Sequence, residues 1–409
     1  MTALTAAHEA VVTRVIEALA GPGARLRDDQ RTAVAALVEP GSRVLVVQAT
    51  GWGKSAVYWC ATALHRAAGR GPTLVVSPLL SLMRDQVAAA AKAGLRAATI
   101  NSSNVGDWSA IEADLAADAL DVVLVSPERL ANPGFGARVL QHLAGRLGLL
   151  VIDEAHAVSD WGHDFRPDYR RVSDVLQRLN PDTPVLATTA TANERVTDDV
   201  AAQLGQATLV LRGPLARSSL ELAVVDRLSP IQRYAWVVDH LPRLAGSGIV
   251  YVLTVADADR LVEAIRAVQG PDYPVAAYTG QLDADRRHAL EDALLRNEVK
   301  ALVATSALGM GYDKPDLAFV IHFQMPGSVV AYYQQVGRAG RALTSAYGLL
   351  LSGDEEEGIT DWFIRSAFPT RQEVDDVLGA LNEAVDGLSI PELMTCVNMG
   401  KGRIEKTIT

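Results

Sequence analysis

Cysteine is scarce in this sequence. The 409 residues include only Cys60 and Cys396, which lie far apart along the chain. Two cysteines so placed provide neither a disulfide framework nor a four-cysteine metal site. A structural zinc ion is therefore not expected in this chain.

An excess of positive charge and long apolar runs are also absent. The formal net charge is −10, which excludes a protein that is basic over its whole surface and confines any nucleic-acid path to a local region. Charged residues interrupt every apolar run before the roughly 18 residues that a membrane helix needs. The N-terminus carries Glu9 and Arg14 where a secretory signal would be apolar. The sequence thus predicts no membrane segment, with a cytoplasmic location as the default.

Short runs rich in Val, Leu and Ile recur in two series, with helix-like segments between most of them. The first series is Val44–Val47, Leu74–Val76, Val122–Val125, Leu149–Ile152, Val185–Ala187 and Leu209–Leu211. The second is Leu222–Val225, Ile249–Leu253, Val275–Ala277, Ala301–Ala304, Phe319–Phe323 and Gly348–Leu351. Such alternation is typical of parallel sheets covered by helices. It predicts two tandem α/β domains, over residues 1–213 and 214–353.

The pattern changes after Gly353 to an acidic, helical one over residues 354–409. Thr370 with Glu373, and Ser389 with Glu392, fit the spacing of a capping box, which satisfies the first N–H groups of a helix. Helices are predicted over 371–386, over 389–398 and from Lys401 onward.

A glycine-bearing segment follows the first predicted strand and precedes a helical stretch. It runs from Gln48 to Ser55 and includes Thr50, Gly51, Gly53 and Lys54. In this context backbone N–H groups face phosphates, the lysine reaches the β and γ phosphates, and the Ser55 hydroxyl can ligate magnesium. Gln48 stands where the common pattern has its first glycine. The alternative is a glycine-rich turn with a chance lysine.

A pair of carboxylates follows the predicted strand Leu149–Ile152. Ligands bind at the carboxyl edge of parallel sheets, so Asp153 is a candidate to hold magnesium and Glu154 to deprotonate an attacking water. A solvated acidic loop is the alternative. The phosphate loop upstream, in the right order, favours the catalytic interpretation.

Taken in order, nine segments resemble the motifs of RecQ helicases, which belong to the DEAH-type helicases of superfamily 2. They are Leu26–Gln30, the phosphate loop, Ser77–Gln86, Ser126–Leu130, Asp153–His156, Ser159–Pro167, Ala187–Ala192, Ala304–Pro315 and Tyr332–Arg341. The aromatic-rich segment Ser159–Pro167 is the most telling of them. The resemblance covers about residues 25 to 350.

The resemblance implies two RecA-like domains with ATP and Mg²⁺ between them. Gln30 is expected to read the adenine edge and Arg27 to stack on the ring, although an ordinary helix start would also explain this pair. Gln334 is expected to contact the nucleotide. Arg338 and Arg341 are expected to reach the γ-phosphate as arginine fingers when the domains close. Surface salt bridges are the alternative for these arginines.

The resemblance also implies a path for DNA. Trp161 and Phe165 offer faces for stacked bases and Arg166 a phosphate contact, while packing in a core is the alternative for the two aromatics. His156 and His163 are expected to couple DNA contact to hydrolysis. Contacts to phosphates, independent of base sequence, are expected from Ser77, Ser126, Arg129, Thr254, Thr279 and Thr305.

The function expected is that of a monomeric ATP-dependent 3′-to-5′ DNA helicase, acting on single-stranded and tailed duplex DNA in repair or recombination. Motion without strand separation and an ATP-switched DNA-binding scaffold are alternatives, and RNA is an alternative substrate. The four-cysteine zinc module common in RecQ proteins is missing from this sequence. The terminal helices are interpreted either as the start of a winged-helix domain or as packing elements.

Overall fold

The computed structural model describes residues 3–78, 80–101, 104–131, 143, 145–158, 176, 179–205, 207–214, 218–309, 312, 314–353, 370–384, 387–397 and 399–408. Within them lie two parallel β-sheets, each covered by helices on both faces, and a group of C-terminal helices. The α/β class predicted from the alternating apolar runs is confirmed.

The first sheet has seven parallel strands. They are β1 (Arg43–Val47), β2 (Thr73–Val76), β3 (Ala97–Ile100), β4 (Val122–Val125), β5 (Leu149–Asp153), β6 (Val185–Thr189) and β7 (Leu209–Arg212). Their order across the sheet is β3-β4-β2-β5-β6-β1-β7. Strand β3 was not predicted, because its Ala-Ala-Thr-Ile sequence lacks the run of large apolar residues that marks the others.

Both faces of the first sheet are buried, which explains the nearly continuous apolar runs. Successive side chains of a strand point to opposite faces, so Val44 and Val46 of β1 pack in one core while Leu45 and Val47 pack in the other. The described helices that supply these cores are α1 (Ala6–Ala20), α2 (Asp28–Val38), α3 (Lys54–Ala67), α4 (Leu80–Lys92), α5 (Trp108–Ala116), α6 (Pro127–Ala131) and α7 (Glu194–Leu204).

The second sheet has six parallel strands. They are β8 (Leu220–Val225), β9 (Gly248–Tyr251), β10 (Val275–Tyr278), β11 (Ala301–Ala304), β12 (Phe319–His322) and β13 (Ala346–Leu351), in the order β10-β11-β9-β12-β13-β8. The covering helices are α8 (Pro230–His240), α9 (Val255–Gln269), α10 (Ala284–Leu295) and α11 (Val329–Val336). This sheet likewise separates two apolar cores.

Among the described residues beyond the second sheet lie the helices α12 (Arg371–Glu383), α13 (Ile390–Cys396) and α14 (Lys401–Ile408). Both predicted capping boxes are present, with Thr370 and Glu373 at the start of α12 and Ser389 and Glu392 at the start of α13. The helices pack through a small core of Val377, Leu393, Val397 and Ile404. Both α12 and α13 end before the predicted limits.

No helix in the described part of the chain is both long enough and apolar enough to cross a membrane.

Candidate nucleotide and nucleic-acid site

The phosphate loop connects β1 to α3 at the carboxyl edge of the first sheet. Gly51 and Gly53 have φ angles of +80° and +93°, a left-handed conformation that costs glycine little. Gly53 is the N-cap of α3, so the free N–H groups of the helix start lie at the loop. The Lys54 ammonium donates hydrogen bonds to the carbonyl oxygens of Gln48 (2.9 Å) and Ala49 (3.3 Å). The loop thus has the backbone geometry and the cation that anion binding requires.

The Gln30 side chain lies against this loop. Its Nε2 donates to the carbonyl oxygens of Trp52 (3.2 Å) and Gly53 (3.0 Å), and its Oε1 accepts from the Arg27 N–H. The amide predicted to read adenine therefore supports the phosphate loop in this structure, while the Arg27 residue is exposed. Trp52 packs partly buried against the first domain's core.

The two carboxylates lie at the end of β5, two strands from β1. Asp153 Oδ1 accepts hydrogen bonds from Thr188 Oγ1 (2.6 Å) and from the Glu154 N–H (3.1 Å). Burial, and then the neighbouring Glu154 charge, raise the pKa of Asp153. Glu154 has a φ of +51°, which non-glycine residues rarely adopt, so its surroundings hold it there.

Glu154 is half-buried, and its Oε2 atom lies buried beside a histidine. Its Oε2 lies 3.3 Å from His156 Nδ1, and no hydrogen bond from the described residues reaches that oxygen. Burial alone would raise the pKa of Glu154, but His156 and the Lys54 charge bring it below its ordinary value. A carboxylate held ionised in this way can accept a proton.

Polar residues that sequence reasoning missed surround this pair. Gln86 Nε2 donates to Asp153 Oδ2 (3.2 Å) and to the Tyr58 hydroxyl (3.0 Å). Near His156 Nδ1 lie the hydroxyls of Thr189 (3.0 Å) and Thr191 (3.2 Å). The resemblance identifies the segment Ala187–Ala192 as a motif but assigns no roles to its individual residues. The threonines of this segment are the sequence feature that could have indicated these contacts. Strand β6 is hydrogen-bonded to β5, so its end lies beside Asp153.

The second domain reaches the phosphate loop through Arg341. A methyl group built on Gly51 would lie 3.2 Å from Cδ and 3.5 Å from Nε of this arginine. Arg338 is placed differently: its guanidinium donates to the carbonyl oxygens of Tyr312 (2.9 Å) and Gly309 (2.6 Å) within its own domain. Gln334 lies half-buried on α11. Of the two predicted fingers, the structure brings Arg341 to the loop.

The residues predicted to contact phosphates of DNA follow neighbouring strands. Ser77 and Ser126 come directly after β2 and β4, which are adjacent, whereas the phosphate loop and Asp153 lie toward the other side of the first sheet. Thr279 and Thr305 come directly after β10 and β11, and Thr254 caps α9 after β9, so these three also lie side by side. The Arg129 guanidinium stacks over the Trp108 ring at 4.9 Å. Each domain thus has one row of hydroxyl-bearing residues at its carboxyl edge, of which Ser77, Ser126, Thr279 and Thr305 are buried and Thr254 is exposed.

The aromatic-rich segment Ser159–Pro167 is predicted to stack DNA bases and to couple DNA contact to ATP hydrolysis. Trp161, His163, Phe165 and Arg166 lie outside the described residues. Their predicted roles stay predictions.

Two family models match the chain. The DEAD/DEAH box helicase model matches residues 27–200, and the helicase conserved C-terminal domain model matches residues 233–343. Solved helicases share the fold: the DUF1998 helicase MrfA bound to DNA has a TM-score of 0.68 and 19% identity, over 86% of this chain and 53% of that chain. Dbp5 of S. cerevisiae, bound to RNA and ADP BeF3, has a TM-score of 0.64 and 17% identity, over 86% of this chain and 90% of that chain. Fold and site together define a superfamily 2 helicase core.

Similar proteins of known name identify the family within this class of helicases. The ATP-dependent DNA helicase RecQ of Bacillus subtilis is 34% identical over 370 residues, which cover 88% of this chain and 59% of the relative. The ATP-dependent DNA helicase Q-like 4B of Arabidopsis thaliana is 36% identical over 327 residues, or 77% of this chain and 27% of the relative. The chain belongs to the RecQ family, and it spans little more than half the length of the bacterial relative and about a quarter of the plant one.

Proposed function

We propose that this chain is the motor of an ATP-dependent DNA helicase that moves 3′ to 5′ on single-stranded DNA and separates duplexes in DNA repair or recombination. The observation that carries the proposal is the position of Arg341 of the second domain against Gly51 of the phosphate loop. A nucleotide held by the loop would lie between the domains, so hydrolysis can change their separation. The names of the RecQ relatives support DNA as the substrate.

The donor set suits Mg-ATP. The Ser55 hydroxyl and the Asp153 carboxylate are hard oxygen ligands of the kind that Mg²⁺ prefers, and buried Glu154 Oε2 has no hydrogen bond from the described residues. Bound Mg-ATP supplies the scissile phosphoanhydride bond and a divalent cation that offsets charge on the phosphates. Lys54 would exchange its bonds to the Gln48 and Ala49 carbonyls for phosphate oxygens. Glu154 would take the proton of the attacking water on its carboxylate.

Thr188 provides a test of the magnesium assignment. Thr188→Val removes the hydroxyl that donates to Asp153 Oδ1 and nearly preserves the side-chain shape. We expect the Mg²⁺ concentration for half-maximal ATP hydrolysis to rise about tenfold, because such supporting bonds are typically worth roughly 10–100-fold in metal affinity. Thr188→Ser keeps the hydroxyl and should resemble wild type. Identical Mg²⁺ titrations for the valine variant and wild type would refute the role of Asp153 as an oriented ligand.

The proposed movement on DNA would use the two rows of hydroxyls. Side-chain hydroxyls contact phosphates without reading bases, so binding is expected to be independent of sequence. Each domain carries one row. Opening and closing of the two domains around ATP would therefore change the distance between the two places where one DNA strand is held. Both halves of the ATP site come from one chain, so we propose that the motor acts as a monomer.

Strand displacement tests the proposed activity. A labelled strand is annealed in duplexes with either a 3′ or a 5′ single-stranded tail and incubated with ATP at low salt, with Lys54→Ala as the inactive control. We expect displacement from the 3′-tailed duplex alone and none by the variant. Opening of the 5′-tailed duplex instead would contradict the polarity. DNA-stimulated ATP hydrolysis without displacement would assign the chain to translocases.

A further inference from the structure

The covalent connection between the two domains, residues 213–219, begins on the phosphate loop. Gly213 directly follows β7, and its N–H donates to the Val47 carbonyl oxygen (3.1 Å) at the end of β1. A methyl group built on Gly213 would lie 2.2 Å from Oε1 and 2.6 Å from Nε2 of Gln48, the first residue of the loop. Nonbonded atoms cannot approach so closely, so only glycine fits beside the Gln48 amide.

Gln48 stands where phosphate loops commonly have a glycine, and its side chain makes a contact that glycine could not. The residue is 2% exposed, and its Nε2 donates to Asp29 Oδ2 (3.0 Å) in the first turn of α2. Its backbone N–H donates to the Thr189 carbonyl oxygen (3.1 Å), and its own carbonyl oxygen accepts from Lys54 (2.9 Å). One residue thus joins the lysine of the loop to the start of the connection.

The connection ends beside the other half of the ATP site. Ser219, which precedes β8, donates from its Oγ to the Gly340 carbonyl oxygen (2.8 Å). Gly340 has a left-handed φ of +72°, and a methyl group built on it would lie 3.1 Å from Ser219 Oγ. The carbonyl that accepts this bond belongs to the peptide group between Gly340 and Arg341. Because that group is planar, the bond fixes the orientation of the Arg341 backbone.

The two anchors are close along the chain. Ser219 lies six residues after Gly213, and an extended chain of that length spans at most about 20 Å. One end is held by the phosphate loop, and the other holds the peptide of the arginine that reaches the same loop. The anchors therefore limit how far the two halves of the ATP site can shift relative to each other.

We propose that Gln48 and Ser219 are positioning residues for ATP hydrolysis, which fix the two ends of the connection at the ATP site and so hold Arg341 at the phosphate loop. The inference rests on the proposed motor, in which Arg341 acts as a finger. Neither side chain needs to touch the nucleotide. A catalytic group misplaced by about 1 Å can cost about 10²-fold in rate, so loosening either anchor slows hydrolysis.

The test is a pair of double-mutant cycles with Arg341. Steady-state ATP hydrolysis at a saturating single-stranded oligonucleotide gives kcat and KM. The proteins are wild type, Ser219→Ala, Gln48→Ala, Arg341→Ala and the two doubles that combine Arg341→Ala with either anchor substitution. Alanine at position 48 keeps the backbone atoms that contact Lys54 and Thr189. Thermal melting of each variant checks folding.

We expect Ser219→Ala and Gln48→Ala each to lower kcat about tenfold, the rate equivalent of one lost hydrogen bond. The KM for ATP should change far less, because the anchors act on a group that works in the transition state. In the Arg341→Ala background neither substitution should lower kcat further, since the side chain that they position is already gone.

Two substitutions of the same kinds serve as matched controls. Ser247 Oγ donates to Asn297 Oδ1 at the amino edge of the second sheet, so Ser247→Ala removes a serine hydroxyl far from Arg341. Gln203 lies exposed on α7 of the first domain, so Gln203→Ala removes a glutamine amide away from the loop. Both variants should have the kcat of wild type.

Three outcomes would overturn the inference. Losses of equal size in the wild-type and Arg341→Ala backgrounds would show that the anchors act independently of the arginine, with the proposed motor left standing. A raised KM with an unchanged kcat would make them ground-state binding groups. Strand displacement tests the motor separately: a wild type that neither hydrolyses ATP nor displaces a strand would remove the inference together with the proposed function.

Discussion

Replacing Arg341 by alanine is expected to lower kcat for ATP hydrolysis by about 10³-fold or more, the range measured for arginine fingers. The side chain lies against Gly51, where its charge can offset the negative charge that develops on the transferred phosphoryl group. Its contribution is made in the transition state, so the KM for ATP should change far less than kcat. Steady-state hydrolysis at saturating single-stranded DNA measures both parameters.

The controls for this prediction separate charge from geometry. Arg341→Lys retains a positive charge but lacks the planar fork that contacts two oxygens at once, so it should recover only a small part of the rate. Arg243→Ala removes an arginine from the opposite edge of the second sheet and should leave kcat unchanged. If Arg341→Ala raised KM while preserving kcat, the residue would be a ground-state binding group and no finger.

Replacing Glu154 by glutamine should abolish most hydrolysis while leaving nucleotide binding intact. The amide has the shape of the carboxylate and fits the same left-handed backbone, but it cannot take a proton from water. We expect kcat to fall by about 10²–10⁴-fold, the usual contribution of a positioned general base. Binding of a fluorescent ATP analogue and single-turnover hydrolysis give the two quantities separately.

Glu194 supplies a matched control for this substitution. It lies in the first turn of α7, in the first domain, so Glu194→Gln makes the same chemical change on an exposed helix start. Its hydrolysis rate should equal that of wild type. Retention of more than about a tenth of the wild-type kcat by Glu154→Gln would be too small a loss for a general base. The water would then need another proton acceptor.

Much of the fold could be predicted because local physics sets it. Buried parallel strands need apolar side chains on both faces, so Val122–Val125 and Ala301–Ala304 were predicted with the observed bounds. Capping boxes act within one helical turn, and those at Thr370 and Ser389 were visible as spacing alone. Strand β3 was not predicted, because its small residues do not form the run of large apolar side chains that marks the other strands.

In the candidate site, too, local features could be predicted from the sequence and contacts between distant residues could not. The sequence by itself determined the phosphate loop and the Asp153–Glu154 pair, because glycine conformations and the end of a buried strand are local properties that residue types reveal. Only the tertiary structure decided that Thr188 supports Asp153, that Gln30 supports the loop and that Arg341 meets Gly51. Such contacts join residues far apart in the chain, and their distances depend on how whole elements pack, which no local pattern of residues specifies.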